Sequence, residues 1–249
     1  MERLDKVISS QTNYSRKDIK DLVKKRNILV NGEVVLKNDV KVDVSTDKIS
    51  ILGEEIIFKK YVYLMLNKPK GYVSATEDKN DKTVLDLVPN EYKHRNLFPA
   101  GRLDKDTTGL MIITDDGDFA HNILSPKKHI SKTYNVTIDI DMNEDMVIGF
   151  KNGVNLSDGE CKSASLEVTG KNTGIVILTE GRYHQIKRMF RSFNFFFTIH
   201  LSNIKTFFFC DIKKTFIIIN KICFIWFNII FINHNIKKVI ITFLSTIYR

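Results

Sequence analysis

Apolar positions recur at helical spacing twice near the start of the chain, as Leu4, Val7 and Ile8 and then as Ile19, Leu22 and Val23. Between the two runs Ser15 stands three residues before Asp18, the spacing at which a hydroxyl and a carboxylate cap the first turn of a helix reciprocally. Two short helices are therefore expected. Ile28-Leu29-Val30 and Glu33-Val34-Val35 follow, flanking Asn31-Gly32, a pair that tolerates the positive φ of a tight hairpin turn. From Tyr61 onward the pattern changes. Runs rich in β-formers at 61–66, 110–113, 133–140, 165–168 and 174–178 are interleaved irregularly with helical stretches at 119–124, 142–150 and 183–190. This arrangement predicts an α+β domain, not a doubly wound parallel sheet. The chain thus divides into a unit at 1–58 and a second at 61–190, with Lys59-Lys60 at the seam and no Pro- or Gly-rich linker.

After residue 190 the patterning dissolves. Twelve of the 17 Phe lie there, no Gly or Pro follows Asn194, and neither helical nor alternating periodicity persists from 207 to 231. Phe, Ile, Asn and Lys, which dominate this stretch, can each be encoded by A and T alone. The expectation is that 191–249 is an out-of-frame translation of AT-rich DNA, which sequencing across codons 188–200 decides. The rival is a membrane anchor over 216–232. That run is interrupted by Asn220, Lys221 and Asn228, and it falls short of the roughly 20 apolar residues a spanning helix needs.

The formal charge of +9 suggests a polyanionic partner, but its distribution weakens the inference. Residues 1–190 hold 30 basic against 28 acidic residues, while 191–249 hold eight basic residues and the single acid Asp211. Any nucleic-acid argument must rest on local clusters. One exists on the second expected helix, where Arg16, Lys20 and Lys24 share a face with Lys17, Lys25 and Arg26 nearby. Cys161, Cys210 and Cys223 have no paired spacing and read as ordinary thiols of a reducing compartment. The charged start Met-Glu-Arg-Leu-Asp-Lys is unlike a signal peptide, so a cytoplasmic protein is expected.

The richest chemistry lies in Gly101-Arg102-Leu103-Asp104-Lys105-Asp106-Thr107-Thr108-Gly109-Leu110. A carboxylate there stands beside a guanidinium, between a Gly turn and an apolar run. Taken alone, such an Asp is most often a cap or an ion-pair partner. Two further blocks flank it, Leu66-Asn67-Lys68-Pro69-Lys70-Gly71-Tyr72 upstream and Glu180-Gly181-Arg182-Tyr183-His184-Gln185-Ile186-Lys187-Arg188-Met189-Phe190 downstream. In this order the three resemble the RNA pseudouridine synthases of the small-subunit ribosomal type, and Ser125-Pro126-Lys127-Lys128-His129 adds to the likeness. The helix, basic helix and Asn-Gly hairpin of the first unit resemble the S4 RNA-binding domain.

The resemblance covers 1 to about 190. It implies a mixed, largely antiparallel sheet with a cleft across its middle, and site-specific isomerisation of uridine to pseudouridine. The reaction needs no metal, cofactor or redox equivalent. It implies Asp104 as the carboxylate acting on the ribose, as nucleophile or as base, with Lys187 as its cationic partner. Tyr134 is placed as the ring that stacks on the target base and assists proton removal from carbon 5. Arg102 falls near the extruded nucleotide, with Lys68, Lys70, Gly71 and Arg182 as substrate contacts. Arg3, Arg16, Lys17, Lys20, Lys24 and Arg26 are the expected RNA contacts of the first unit, through phosphates. His184 and Gln185 are expected to brace the closing helix. The implied partner is ribosomal RNA or a pre-ribosomal particle, with no membrane partner and a monomer favoured.

Other readings stay open at this point. An S4 protein with an inactive, truncated catalytic domain would bind RNA without isomerising it. An enzyme for large-subunit RNA would share most of these blocks. A phosphatase of the aspartyl-phosphate type would use Asp104 and Asp106, with Asp115, Asp116 and Asp118 as magnesium ligands. Its loop, however, should follow an apolar strand, whereas here the apolar run comes afterwards.

Overall fold

The computed structural model describes residues 1–125, 130–193, 199–203, 208–210, 216–219 and 238–240. Helix α1 (Leu4–Gln11) buries Leu4, Val7 and Ile8, and α2 (Arg16–Lys24) buries Ile19 and Val23. The expected cap is present. Asp18 N–H donates to Ser15 Oγ at 3.2 Å, and Ser15 N–H donates to Asp18 Oδ2 at 2.9 Å. Such a cap is worth about 1 kcal/mol. The two helices share a core with a four-stranded antiparallel sheet. Its strands are β1 (Ile28–Val30), β2 (Glu33–Val34), β3 (Ile49–Ile51) and β4 (Glu54–Ile56), in the order β2-β1-β3-β4. Asn31 and Gly32 take φ of 53° and 85° in the β1–β2 turn, the left-handed pair such a hairpin requires.

The second unit is built on one mixed sheet. Its strands are β5 (Tyr63–Lys68), β6 (Phe98–Pro99), β7 (Thr108–Thr114), β8 (Lys132–Ile138), β9 (Ser165–Gly170), β10 (Thr173–Leu178), β11 (Ile199–Asn203) and β12 (Phe216–Ile219). The order is β9-β10-β8-β11-β7-β5-β12, with β6 paired to β7. All pairings are antiparallel except β11 with β7 and β12 with β5. Helices α3 (Gly117–Leu124), α4 (Glu144–Asn152) and α5 (Gln185–Arg191) pack against it. One core gathers Val136, Phe150, Val176, Met189 and Phe190, and a second gathers Leu64, Leu66, Val84, Leu103 and Ile113. Tyr134 on β8 packs against both, which places its ring at the seam between them.

The expected end of the catalytic unit at residue 190 falls short of this sheet. Strand β11 lies between β8 and β7, with Leu201 opposite Val136 and 7% exposed. Phe193 also belongs to the core. Its ring stacks on Phe150 at 6.3 Å, and a Cβ on Gly149 would meet it at 2.5 Å. The Phe-rich composition around this strand hid it. The out-of-frame reading of the tail falls largely on 194–198, 204–207, 211–215, 220–237 and 241–249, which lie outside the described residues, as does most of the proposed anchor. Among the described residues no helix is long and apolar enough to cross a membrane. The 126–129 part of the Ser125 block lies outside them too.

The two units meet through Arg95 and its neighbours, with His94 at 3.2 Å from both the Ser10 carbonyl and Asn13 Oδ1, and Asn13 Nδ2 donating to the Asn90 carbonyl at 3.3 Å. Arg95 Nε donates to Asp115 Oδ2 at 2.6 Å, and its Nη atoms donate to the Lys59 and Lys60 carbonyls at 3.1 and 2.9 Å. Asp115 Oδ1 also accepts from Val62 N–H at 2.8 Å. Asp116 caps α3 through Phe119 N–H and takes the Tyr63 hydroxyl. Both carboxylates therefore serve the fold, and no metal-binding cluster of His, Cys, Asp or Glu occurs among the described residues. The phosphatase reading loses Asp115 and Asp116 as magnesium ligands.

Candidate active site

The loop after β6 carries Asp104 and is tied down at several points. Lys68, at the end of β5, is wholly buried. Its Nζ donates to the carbonyls of Pro69, Asp104, Lys105 and Thr107 at 3.3, 2.9, 3.2 and 2.8 Å. An ammonium has three protons and no acceptor, so a nest of carbonyl oxygens suits it. Burial pulls its pKa from 10.5 down to about 8, against the opposing charges of Asp106 and Asp104. Gly71, at φ +95°, donates its N–H to the Lys105 carbonyl at 2.7 Å. Ser74 Oγ donates to the Leu103 carbonyl at 2.6 Å and accepts from Leu103 N–H at 3.0 Å. The turn after β5 thus clamps the Asp104 loop from below.

From above comes α5. Lys187, 9% exposed, lies 3.3 Å from Asp104 Oδ2 and donates to Asp106 Oδ1 at 2.5 Å. Burial pushes the Asp106 carboxyl up, but the hydrogen bond and charge of Lys187 outweigh it, and the group is held below its ordinary value. Two carboxylates and two buried ammoniums share this small volume, which balances its charge. His184 Nε2 approaches Asp104 Oδ1 at 3.5 Å. The backbone of His184 is left-handed, at φ 47°, a conformation costing on the order of 1 kcal/mol or more for a residue with a Cβ.

A cleft of about 360 Å³ opens over these groups, lined by Arg102, Asp104, Thr107, Tyr134, Tyr183 and His184 among others. Tyr134 is half-buried on its wall. Burial first, and the Asp104 charge second, push its phenol up to about 12. At neutral pH the ring therefore offers a flat face and an O–H donor, with very little phenolate to take a proton from carbon 5.

Several expected contacts are placed otherwise. Lys68 cannot reach an RNA phosphate, because it is buried among carbonyls of the protein. Arg182 donates to the carbonyls of Gly159 and Glu160 and pairs with Glu180 at 3.6 Å, so it holds the 155–160 hairpin against the cleft loop. Arg3 forks onto Asp5 at 3.1 and 2.8 Å and anchors α1. Gly71 holds the catalytic loop through its amide. Arg102 and Lys70 stay exposed, as do Arg16, Lys17, Lys20, Lys24 and Arg26 on the first unit. Asp106 was missed as a partner of Lys187. Its signal was its place two residues after Asp104, which brings both carboxylates to one cation.

The fold sets a cleft lined by a cation-paired carboxylate beside a helical and hairpin unit of the S4 type. Comparison with known proteins agrees. The profile of the RNA pseudouridylate synthases matches residues 62–192, and that of the S4 domain matches residues 2–48. An uncharacterized RNA pseudouridine synthase of Bacillus subtilis is 38% identical over 192 residues, covering 75% of this chain and 80% of that protein. Ribosomal small subunit pseudouridine synthase A of Escherichia coli K12 is 39% identical over 194 residues, covering 76% and 82%. Ribosomal large subunit pseudouridine synthase B of Bacillus subtilis is 36% identical over 199 residues, covering 77% and 80%. A crystal structure of a pseudouridylate synthase, 32% identical, superposes with a TM-score of 0.54 over 82% of this chain and 88% of that one. The chain belongs to the RNA pseudouridine synthase family, with an S4 domain at its N-terminal side.

Proposed function

We propose that this protein converts a specific uridine of small-subunit ribosomal RNA to pseudouridine, with Asp104 as the group that acts on the ribose. The observation that carries this reading is the Asp104 carboxylate in the cleft, with the Lys187 ammonium 3.3 Å away and the Tyr134 ring on the wall. The reaction breaks the bond from N1 of uracil to the ribose and forms one from carbon 5. Carbon 5 loses a proton and N1 gains one, so the product is an isomer and nothing else is consumed. Asp104, opposed by a cation, is held ready for the anomeric region as nucleophile or as base. Tyr134 supplies a face for the base once it is flipped and turned. Arg102, exposed at the cleft mouth, fits the extruded nucleotide, and Lys70 fits a phosphate at the rim.

Small-subunit RNA is favoured by the Asp104 and Ser125 sequence blocks and by the 39% identical small-subunit relative. The 36% identical large-subunit relative makes large-subunit RNA the other outcome of the same mapping. Asp104→Asn keeps the shape and removes the charge. It should leave RNA binding intact and lower turnover by roughly 10⁴-fold or more, the scale on which essential catalytic groups act. Pseudouridine mapped in both ribosomal RNAs before and after incubation reads the target and the loss together. Turnover within about tenfold of the parent would remove Asp104 from the chemistry.

A further inference from the structure

Tyr183 stands out at the mouth of the cleft. It is 72% exposed, yet its ring is not loose, because it stacks on His184 with centroids 3.9 Å apart and planes 21° from parallel. A single exposed aromatic needs no explanation. This one sits on a residue whose left-handed backbone turns its side chain back toward Asp104, at 3.5 Å. The segment beneath is pinned. Arg188 Nη1 donates to the Tyr183 carbonyl at 3.2 Å and Arg188 also pairs with Asp158, while Arg182 N–H donates to Gln185 Oε1 at 2.9 Å. The result is a two-ring stack on a tied-down backbone, with its inner ring 3.5 Å from the Asp104 carboxylate.

We propose that Tyr183, backed by His184, is a stacking platform for the base of a nucleotide that flanks the target uridine. The inference rests on the RNA-isomerising reading above. Extruding one base leaves its neighbours without a stacking partner on one side, and this unstacking opposes binding. An aromatic face at the rim of the pocket replaces the lost contact. Every base has a π-face, so the platform tolerates sequence while fixing where the strand turns. Tyr183 is thereby a positioning residue for the RNA, and His184 sets the plane of its ring.

The test compares the full chain with Tyr183→Ala, Tyr183→Phe and Tyr183→Trp on a ribosomal RNA transcript. Equilibrium binding and single-turnover rates are both read. Tyr183→Ala should weaken binding by roughly 5- to 150-fold, the span of one base–aromatic stack, while the rate at saturating RNA changes little. Phe and Trp should hold the wild-type affinity. Abasic nucleotides placed on either side of the target uridine should erase the difference between wild type and Tyr183→Ala. An Ala variant that binds like wild type would overturn the proposal. So would an Ala deficit that survives abasic substitution on both sides, since the residue would then act only on the loop. A wild-type chain that binds through Tyr183 but forms no pseudouridine would count against the function above and leave the platform standing.

Discussion

The two units of this molecule use positive charge in opposite ways. On the S4 unit Arg16, Lys17, Lys20 and Arg26 are exposed, and Lys24 has only a loose contact with Asp21 at 3.8 Å. In the catalytic unit Arg102 stays exposed, but Lys68, Lys187 and Arg182 around the Asp104 loop are withdrawn from solvent wholly or in part and are engaged with the protein itself. Lys68 meets four carbonyls, Lys187 two carboxylates, and Arg182 two carbonyls and a carboxylate. Exposed cations exchange counterions for phosphates and so contribute affinity without geometry. Buried cations contribute little net affinity for anything mobile, but they fix neighbouring groups, and removing one leaves its partners uncompensated. The lesson is a division of labour: the S4 unit holds RNA, and the catalytic unit holds itself in shape around Asp104.

This comparison can be broken at several points. The largest effect after loss of Asp104 itself is expected from Lys187→Met. With the ammonium gone, Asp104 and Asp106 lose the cation they both touch and keep only the more distant charge of Lys68, and turnover should fall by about 100-fold or more, with RNA affinity little changed. Single-turnover kinetics beside equilibrium binding distinguishes the two. Arginine at this position should recover part of the rate, since it restores the charge.

A smaller effect comes from pH. Lys68 has its pKa lowered from 10.5 to about 8, so it is charged below that value and neutral above it. As pH climbs through about 8, the carbonyl nest loses a donor and turnover should decline. The fold should not weaken over the same range. The unfolded chain keeps this proton up to about 10.5, so between the two values the unfolded state binds more protons and stability rises with pH. A pH–rate profile set against thermal unfolding checks both signs. A rate that stays flat past pH 9, or that falls together with stability, would contradict the role given to Lys68.

What the sequence disclosed follows the same division. Local signals, such as the Ser15–Asp18 cap and the Asn31-Gly32 hairpin, were legible because each depends on a few adjacent residues. Strands β5, β7, β8, β9 and β10, which periodicity predicts, are present with ends shifted by a few residues, whereas the two-residue β6 carried no such signal. The burial of Lys68 was not legible. A lysine between Asn67 and Pro69 reads as a surface charge, and only the folded loop presents its carbonyls to it. Arg182 and Arg3 misled for the same reason, since their partners are set by folding and not by motif. Strand β11 was obscured by composition, its single described core contact being Leu201. The Arg95 junction carries no motif at all, and its acceptors are backbone carbonyls of the seam and a carboxylate twenty residues away.

The smallest effect on chemistry, and the most direct test of the division, is expected from Arg16, Lys20 and Lys24 replaced together by Ala. RNA binding is measured across a range of salt concentrations, and the isomerisation rate is measured at saturating RNA. Each lost phosphate contact should lower the log–log salt slope by roughly 0.7 to 0.9, or roughly 2.1 to 2.7 for the three. The saturating rate should match the parent, because none of these side chains touches the cleft. An unchanged salt slope, or a saturating rate that falls with affinity, would contradict the account.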